Sequence, residues 1–588
     1  MSCYRLVMFV VFLYLYPQLI RYRMRNTALT ITLLASMTIY DVAAQTPIIT
    51  RGPYLNLGTS SSVVVRWRTD ISSDTKVWYG TQLDIATMVS VIDASATTEH
   101  ELNITGLQTG TRYFYAIGSS TDLLSGPDSG QYFQTSPVVG SIDPIRIWAV
   151  GDMGEGNTNQ AAVRDAYLNY TNNDHTDVWV WLGDNAYDDG TDAEYQTGVF
   201  DMYPTILPRT VAWPALGNHD YGSTHPFVSD NQDYLDIFTL PTAGEAGGTA
   251  SGDEGFYSFD YGNVHFVCLN SENYTPMDLL LYPNITITHS PAMVTWLEND
   301  LASNTNTDWV IAYFHATPYA DGTHSEAYSG SDPIKIVDGI IMRAMRDQFV
   351  PILENHGVDL ILAGHSHDYE RSYLTYGNYG TGGPYPPDST ILDGGTGRLS
   401  DGAPYQKMTS GPFANKGGVF CVVGCSAKTG SYTSDGPLNH ELMIFDDYRL
   451  GSLLIEVNDN QLDAFFIDTS GTAWDEFTII KDLGVTGIPT DPFPIPEEDE
   501  SVFNNLSIYP NPIIDWFTIE YHLNTPEEVS IEILDLTGKT IATLINENQK
   551  VGDYTYTVDA KNTGIVQGVF LLQFKTAGEL KIQKTIGQ

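Results

Sequence analysis

Residues 178–187 read Val-Trp-Val-Trp-Leu-Gly-Asp-Asn-Ala-Tyr, an unbroken apolar run followed at once by a polar turn. Such runs are typical of strands that are covered on both faces of a sheet. Loops at the carboxyl ends of these strands meet in one crevice, so the polar side chains of the turn are candidates for a site. Four other predicted strands end in the same way, and the motifs that follow them are Gly151-Asp152-Met153-Gly154, Gly217-Asn218-His219-Asp220, Phe314-His315 and Gly364-His365-Ser366-His367.

These five motifs supply the side chains that a multinuclear metal site requires, namely Asp, Asn, His and Tyr. Each motif has an ordinary explanation when it is taken alone. A Gly-Asp pair is usually a turn or a helix cap, and a single histidine is usually a structural residue. An explanation without a site needs five coincidences at once, so the sequence predicts that the motifs converge around bound metal ions.

The order of the motifs resembles that of the metallophosphoesterases, and two details resemble the purple acid phosphatases in particular. Other metallophosphoesterases have a histidine two residues after the first aspartate, but here Met153 and Gly154 follow Asp152. Purple acid phosphatases have instead a tyrosine three residues after the bridging aspartate, and Tyr187 stands there after Asp184. The stretch from His367 to Ser372 also resembles this family, and the resemblance covers about residues 47–482.

The resemblance implies a centre of two metal ions. The first ion is expected to be Fe(III), and the second Zn, Mn or Fe(II). The implied ligands are Asp152, Tyr187 and His367 for the first ion, Asp184 as the bridge, and Asn218, His315 and His365 for the second ion.

Two further histidines are candidates for catalysis. His219, next to the implied ligand Asn218, is the first candidate for contact with the substrate and for protonation of the leaving group. His324 lies nine residues after His315 and resembles a second substrate histidine of the family. Plant members often have two adjacent histidines there, whereas this chain has one, so an ordinary loop histidine is the alternative for His324.

The expected activity is hydrolysis of phosphomonoesters, in which hydroxide generated at the metal pair attacks phosphorus. Two alternatives stay open. One is a phosphodiesterase that acts on nucleotides or phospholipid headgroups, and the other is a non-catalytic surface binding protein. All the implied ligand positions are filled, which argues against the binding protein.

The length of 588 residues predicts a multidomain protein rather than a single core. Residues 47–137 are expected to form a β-sandwich that resembles fibronectin type III domains. Residues 143–482 alternate between strand and helix patterns, which predicts an α/β domain, expected to have a β-sandwich core flanked by helices at about 158–170, 291–303 and 337–355. A linker rich in proline and acidic residues at 484–502 leads to a small all-β sandwich at 503–588.

The last segment resembles the type A sorting domain of the type IX secretion system. The resemblance rests on Tyr509-Pro510-Asn511-Pro512, on the turn Asp535-Leu536-Thr537-Gly538-Lys539 and on Lys581-Ile582-Gln583-Lys584 near the end. It implies export by the type IX machinery of a Gram-negative bacterium to the cell surface or the medium. An ordinary accessory β-sandwich is the alternative.

Residues 1–44 are expected to be a signal region. A basic start, an apolar middle and Val42-Ala43-Ala44 predict a secretory signal that begins at Met24 and is cleaved after Ala44. The alternative, a membrane anchor at residues 6–20, is short for a span. We therefore expect no stable insertion into a membrane.

The charge composition excludes one class of partner. The chain has 72 acidic and 28 basic residues, a formal net charge of −44, and such a surface repels nucleic acids. A phosphate ester is also an anion, so a phosphatase of this composition needs local positive charge, which bound metal ions supply. Among the cysteines, Cys421 and Cys425 are expected to be core residues, with a disulfide between them as the lesser alternative.

Overall fold

The computed structural model describes residues 45–222, 232–274, 288–325, 333–379, 390–410, 414–431 and 440–481, and then 503–509, 513, 516–534, 539–563, 568–576 and 580–587. The chain divides into two compact units at Gly484. The predicted signal region and the predicted linker lie outside the described residues.

The first unit begins with six strands that form one hydrogen-bonded sheet. They are β1 (Ile49–Asn56), β2 (Ser62–Gly80), β3 (Val89–Thr105), β4 (Arg112–Gly118), β5 (Leu123–Ser125) and β6 (Tyr132–Gln134). Strand β2 is long enough to pair with β1 through its first half and with β4 through its second half. The hydroxyl of Tyr113 accepts a hydrogen bond of 2.9 Å from the backbone N of Gln108, the link that a tyrosine corner makes. The predicted all-β character is confirmed, while the sandwich arrangement stays a prediction.

The rest of the first unit interleaves strands with helices over residues 145–364, as expected of an α/β domain, whereas the complete elements within the described residues from 369 to 481 are strands and one short 3-10 turn. Its strands are β7 (Ile145–Val150), β8 (Val178–Trp181), β9 (Ala212–Pro214), β10 (Tyr257–Tyr261), β11 (Val264–Cys268), β12 (Trp309–Ala316), β13 (Leu360–Gly364), β14 (Tyr369–Ser372), β15 (Leu374–Thr375), β16 (Ile391–Asp393), β17 (Tyr405–Lys407), β18 (Val419–Val423), β19 (Met443–Asp447), β20 (Gly451–Asn458), β21 (Gln461–Asp468) and β22 (Ala473–Lys481). Its described helices are α1 (Thr158–Tyr170), α2 (Asp192–Tyr195), α3 (Gln232–Ile237), α4 (Pro291–Ser303), α5 (Pro333–Gln348) and α6 (Val350–Asn355).

The helices predicted at 158–170 and 291–303 are confirmed as α1 and α4. The helical pattern predicted at 337–355 corresponds to two consecutive helices, α5 and α6, rather than to one. Pro351 lies in the first turn of α6. Because proline has no backbone N–H, it cannot make the hydrogen bond that a continuous helix would need there.

Two seven-stranded sheets form the framework of this α/β part. One has the order β10-β11-β12-β13-β18-β14-β19 and the other β17-β22-β21-β20-β7-β8-β9. The sheets pack face to face, because Tyr369 of β14 stacks on Phe466 of β21 with ring centroids 4.0 Å apart. A second such pair, Trp213 of β9 and Phe259 of β10, has centroids 3.8 Å apart.

Helices cover the outer faces of both sheets. Trp148 of β7 stacks on Tyr167 of α1 with ring centroids 4.1 Å apart. In β12, Val310 packs into the cluster that contains the apolar face of α4, whereas Ile311 belongs to the core between the sheets. A strand buried on both faces needs apolar residues at every position, which explains the continuous apolar runs of the sequence.

The N-terminal sheet is fastened to the α/β part beside the predicted site. Asp192 at the start of α2 accepts hydrogen bonds from Arg51 (2.8 Å) and from both terminal nitrogens of Arg68 (2.7 and 2.6 Å). The hydrogen bonds from Arg68, together with those from Arg51, lower the pKa of Asp192 to about 2. Asp192 follows Tyr187 by five residues in the sequence. Through the ion pairs of Asp192 with Arg51 and Arg68, the N-terminal sheet therefore anchors the loop that carries this predicted ligand.

Within the described residues, the second unit forms strands and one short 3-10 turn, Ala560–Asn562, while the predicted sandwich stays a prediction. Its strands are β23 (Phe503–Tyr509), β24 (Trp516–Leu523), β25 (Glu527–Leu534), β26 (Thr540–Gln549), β27 (Gly552–Asp559), β28 (Gly568–Lys575) and β29 (Leu580–Gly587). They form one sheet with the order β23-β24-β27 and another with the order β26-β25-β28-β29. Inward residues of β24, β25 and β28, such as Phe517, Ile531 and Leu572, share one apolar core. Residues 510–512 and 535–538 of the predicted sorting motifs lie outside the described residues.

Cys268, Cys421 and Cys425 are buried free thiols, so the expectation that Cys421 and Cys425 are core residues is confirmed. Within the described ranges, no helix combines the length and the apolar character that crossing a membrane demands.

Candidate metal centre

The five motifs converge, although they come from two different sheets. Asp152, Asp184 and Asn218 follow β7, β8 and β9 of one sheet, whereas His315 lies in β12 and His365 follows β13 of the other sheet. The packing of the two sheets brings the ends of these strands together, and all seven predicted ligand side chains meet there.

One group of ligand atoms surrounds Asp152. Its Oδ1 lies 3.0 Å from the hydroxyl of Tyr187 and 3.3 Å from Nε2 of His367. The Tyr187 hydroxyl also lies 2.7 Å from Oδ2 of Asp184. Ligand atoms that bind one ion at about 2.0–2.3 Å lie roughly 3–3.5 Å from one another, so this spacing suits one cation.

A second group surrounds Nε2 of His315. This nitrogen lies 3.1 Å from Oδ1 of Asn218, 3.2 Å from Nδ1 of His365 and 3.3 Å from Oδ1 of Asp184. Asp184 therefore contributes one carboxylate oxygen to each group. A carboxylate in this position is suited to bridge two ions.

The chemistry of the side chains fits cations. Nδ1 of His315 donates a hydrogen bond of 2.8 Å to the carbonyl of Leu182, so Nε2 is the nitrogen that faces the other ligand atoms. Ligating atoms of Asp152, Asp184 and His315, all buried, lie within 4.8 Å of one another. Burial and then the charges of Asp152 and Asp184 raise the pKa of Tyr187 well above its usual value, so a phenolate forms here only with a cation beside it.

The backbone at the site adopts unusual angles. Asp152, Asp184 and His365 have φ values of 53°, 53° and 71°, in the left-handed region. This conformation costs a non-glycine residue roughly 1–2 kcal/mol, and such strain is concentrated at functional sites. Gly183 has φ 87°, and a Cβ there would lie 2.6 Å from Nδ1 of His315. The motif therefore requires glycine before Asp184.

Asp220 and Asn185 connect the second and third motifs, a role that sequence reasoning did not assign. The side-chain N of Asn185 donates to Oδ2 of Asp220 (2.9 Å) and to the carbonyl of Ala215 (2.8 Å). The backbone N of Gly217 also donates to Asp220, at 2.8 Å. Burial, followed by the charge of Asp184, raises the pKa of Asp220 to about 7. Asn185 and Asp220 both lie within the five motifs, and this position was the signal in the sequence that could have indicated their role.

The two candidate catalytic histidines border the ligand groups on different sides. The ring of His219 lies 4.5 Å from that of Tyr187, and its Nδ1 donates to the carbonyl of Asp188 at 2.7 Å. The ring of His324 lies 4.2 Å from that of His365 and 5.5 Å from that of His367. Nδ1 of His324 is bonded to Asp338. In both imidazoles Nδ1 is therefore occupied by a hydrogen bond, and Nε2 is the nitrogen available to another partner.

Two further charged residues reach the site from outside the motifs. Nζ of Lys428 lies 3.3 Å from the centroid of the Tyr187 ring. Asp338 of α5 lies against His324 and His365. No feature of the sequence marked either residue, because each is brought to the site only by the packing of distant segments.

Three family models match the chain. Residues 50–136 match the model described as the N-terminal domain of purple acid phosphatase, and residues 145–369 match the calcineurin-like phosphoesterases. Residues 507–588 match the secretion system C-terminal sorting domain.

Curated relatives and solved structures agree with these matches. The chain is 28% identical over 305 residues to purple acid phosphatase 22 of Arabidopsis thaliana, covering 50% of this chain and 58% of that protein. It is 30% identical over 327 residues to purple acid phosphatase 23 of the same plant, covering 50% and 62%. It is 26% identical to a phosphoenolpyruvate phosphatase of Allium cepa, covering 59% and 69%. The chain thus spans less than two thirds of the length of the two Arabidopsis relatives.

Over 74% of the chain the fold is similar to that of a solved purple acid phosphatase from yellow lupin seeds, with a TM-score of 0.56, 18% identity and 74% of that chain covered. The chain therefore combines a purple acid phosphatase N-terminal domain and a calcineurin-like phosphoesterase domain with a type IX secretion sorting domain, and purple acid phosphatases are among the relatives that it matches.

Proposed function

We propose that the chain is a secreted phosphatase that hydrolyses phosphomonoesters at a centre of two metal ions. The observation that carries the proposal is the position of Asp184. Its Oδ2 lies 2.7 Å from the hydroxyl of Tyr187, and its Oδ1 lies 3.3 Å from Nε2 of His315. One carboxylate thus belongs to two separate groups of ligand atoms, which is the arrangement that a bridged metal pair needs.

Each group has a chemistry of its own. Tyr187 and Asp152 supply hard oxygen donors and His367 supplies an imidazole nitrogen, a set that suits Fe(III). Asn218, His315 and His365 supply an amide oxygen and two imidazoles, which suit Zn, Mn or Fe(II). Bound in this way, the ions would polarise the phosphate oxygens and activate a water molecule for attack on phosphorus.

The residues of the chain orient the ester and deliver the proton. Because Nδ1 of His219 is bonded to the carbonyl of Asp188, the ring is held with Nε2 as the atom available to a phosphate oxygen. Nδ1 of His324 is bonded to Asp338, so Nε2 of this ring, which lies beside the ring of His365, is likewise available to a phosphate oxygen. As an imidazolium, either ring can donate its Nε2 proton to the leaving oxygen, which would otherwise depart as an unstable alkoxide.

The proposed place of action is the cell surface or the medium. The match of residues 507–588 to a sorting domain supports export by the type IX machinery, and the predicted signal at residues 1–44 would serve the first step of export. The net charge of −44 leaves a phosphate ester with little long-range attraction to the protein, so binding depends on the metal ions.

The test is a metal analysis of the purified protein in parallel with rates of hydrolysis. We expect two metal ions per chain, and faster hydrolysis of glycerol phosphate, phosphoenolpyruvate and 4-nitrophenyl phosphate than of bis(4-nitrophenyl) phosphate. Asp184→Asn should lose metal and activity together, whereas Asp165→Asn, a change of an exposed carboxylate on α1, should lose neither. Faster hydrolysis of the diester would establish the phosphodiesterase alternative, and a protein without a metal pair or activity would be a binding protein.

A further inference from the structure

Asp338 lies outside the five motifs, on α5, and is buried with 7% of its surface exposed. Its Oδ2 accepts a hydrogen bond of 2.7 Å from Nδ1 of His324. Its Oδ1 lies 3.8 Å from Nε2 of His365. One carboxylate on a helix therefore faces both a candidate substrate histidine and a predicted metal ligand.

The contact with His324 decides which nitrogen of that ring can meet the substrate. A neutral imidazole carries its proton on one of two nitrogens, and a carboxylate that accepts from Nδ1 holds the proton there. The ring is then fixed in orientation, with Nε2 left for the substrate. The side chain of His324 keeps 22% of its surface exposed, so a substrate can reach this nitrogen.

The contact with His365 concerns the nitrogen that faces away from the second group of ligand atoms. Nδ1 of His365 lies 3.2 Å from Nε2 of His315, so Nδ1 is the nitrogen directed to the predicted ion. Nε2 of His365 is buried and has no hydrogen-bond partner among the described residues. The Oδ1 of Asp338, at 3.8 Å, is too distant for a hydrogen bond but supplies negative charge beside this N–H.

We propose that Asp338 is a positioning residue of the phosphatase site, which fixes His324 as a proton donor through Nε2 and supports the ring of the metal ligand His365. The proposal rests on the proposed function. Removing the hydrogen-bonding partner of a metal-bound histidine typically changes affinity or activity 10- to 100-fold, and we expect an effect of this size from the partner of His324. A helix residue outside the motifs would thus belong to the catalytic apparatus.

The same three side chains admit another interpretation, because their ligating atoms lie within 4.8 Å of one another and could hold a third cation. The hydrogen bond of 2.7 Å already made between Asp338 and Nδ1 of His324 favours the positioning role. A third cation would also require His365 to bind ions through both ring nitrogens.

The kinetic test uses two esters that differ in their need for a proton. Asp338→Ala should lower kcat for glycerol phosphate about 10- to 100-fold with little change in KM, because an alkoxide cannot leave without a proton. The rate for 2,4-dinitrophenyl phosphate, whose leaving group needs no proton, should fall less than about threefold on the same argument. Asp338→Glu should recover part of the loss, and Asp347→Ala on the same helix should resemble the unaltered protein. Equal losses for both esters would overturn the proposal.

A second measurement does not depend on activity. In protein with ¹⁵N-labelled histidine, at a pH where the ring is neutral, His324 should show protonated Nδ1 and unprotonated Nε2, the nitrogen that gains the donated proton when the ring becomes an imidazolium. Asp338→Ala should convert the neutral ring to a mixture of tautomers. An unchanged tautomer in Asp338→Ala, or three metal ions per chain in the unaltered protein, would overturn the role of Asp338. Absence of hydrolysis by the unaltered protein would overturn the proposed function alone, since the tautomer is measured without it.

Discussion

Nζ of Lys428 lies 3.3 Å from the centroid of the Tyr187 ring and 3.1 Å from Oε1 of Glu155. A cation on the face of an aromatic ring is attracted by its π electrons, and it stabilises a phenolate more than a phenol. The chain has only 28 basic residues against 72 acidic ones, so a lysine beside a predicted metal ligand supplies positive charge where an anionic substrate needs it.

Lys428→Met should therefore change the colour and the phosphate affinity of the iron-loaded protein. Without the ammonium, the phenolate electrons lie higher in energy, so the tyrosinate-to-iron absorption band should move to longer wavelength. Inhibition by inorganic phosphate should weaken about 3- to 10-fold, the scale of one partly exposed cation contact. Lys76→Met is the control, since Lys76 makes a similar contact with Trp78 in the N-terminal sheet. No change in either quantity would contradict the assigned role.

Tyr187→Phe should abolish the purple charge-transfer band of the iron-loaded protein, because the phenolate oxygen is the electron donor. The side chain that remains keeps the ring of Tyr187 but loses the oxygen that lies 3.0 Å from Asp152 and 2.7 Å from Asp184. Absorption spectra with metal content measured on the same sample check this, and Tyr170→Phe on α1 is the control. A colourless iron-loaded unaltered protein would remove Tyr187 from the first metal site.

His219→Ala should mainly lower kcat, by about 10²- to 10⁴-fold, the usual contribution of a general acid, while two metal ions per chain are kept. The backbone N of His219, which donates to Oδ1 of Asp184 at 2.8 Å, is unaffected by the change of side chain. Kinetics and metal analysis of the variant decide between these outcomes, with His356→Ala, a change of an exposed histidine directly after α6, as the control. Loss of metal instead would make His219 a ligand.

Gly183→Ala should destroy the site. The new Cβ would lie 2.6 Å from Nδ1 of His315, in a backbone conformation with φ 87° that alanine adopts only at a cost. Metal content, activity and the unfolding midpoint should all fall. Gly106→Ala separates the two causes, because φ there is 74° and no atom lies within 4 Å of its Cβ, so only the backbone cost applies. Equal effects of the two substitutions would show that the clash is unimportant.

The stability of the first unit should depend on pH through His265. Its Nδ1 lies 2.6 Å from Asp260 and its Nε2 lies 2.9 Å from Asp300. Burial opposes the charge, but the hydrogen bonds and charges of these two carboxylates prevail and raise the pKa of His265 to about 9. Because this exceeds the value of about 6.5 in the unfolded chain, the stabilisation is complete below pH 6.5 and is lost as the pH rises through 9.

The difference in unfolding free energy between the unaltered protein and His265→Gln isolates this contribution. It should be largest near pH 6 and should decrease by roughly 2–4 kcal/mol towards pH 10. Denaturant titrations at several pH values measure it. A difference that does not vary with pH would show that His265 is neutral in the folded protein.

Local patterns were enough to predict much of the fold. The apolar runs at residues 178–182 and 309–314 form β8 and β12, and the helical patterns form α1 and α4 within a residue or two. These signals are local, because a strand covered on both faces requires apolar side chains in sequence order. The prediction of one helical segment at 337–355 was wrong in one respect, because the segment is divided into α5 and α6, with Pro351 in the first turn of α6.

By itself the sequence determined which side chains stand at the ends of strands, and its resemblance to the purple acid phosphatases implied the seven candidate ligands and the two candidate histidines. Only the tertiary structure decided that the motifs come from two sheets, that Asp184 lends one oxygen to each ligand group, and that Asp338 and Lys428 complete the surroundings. The reason is physical. The end of a strand is marked by its own residues, whereas the partner that a side chain meets across the molecule is set by how the sheets and helices pack.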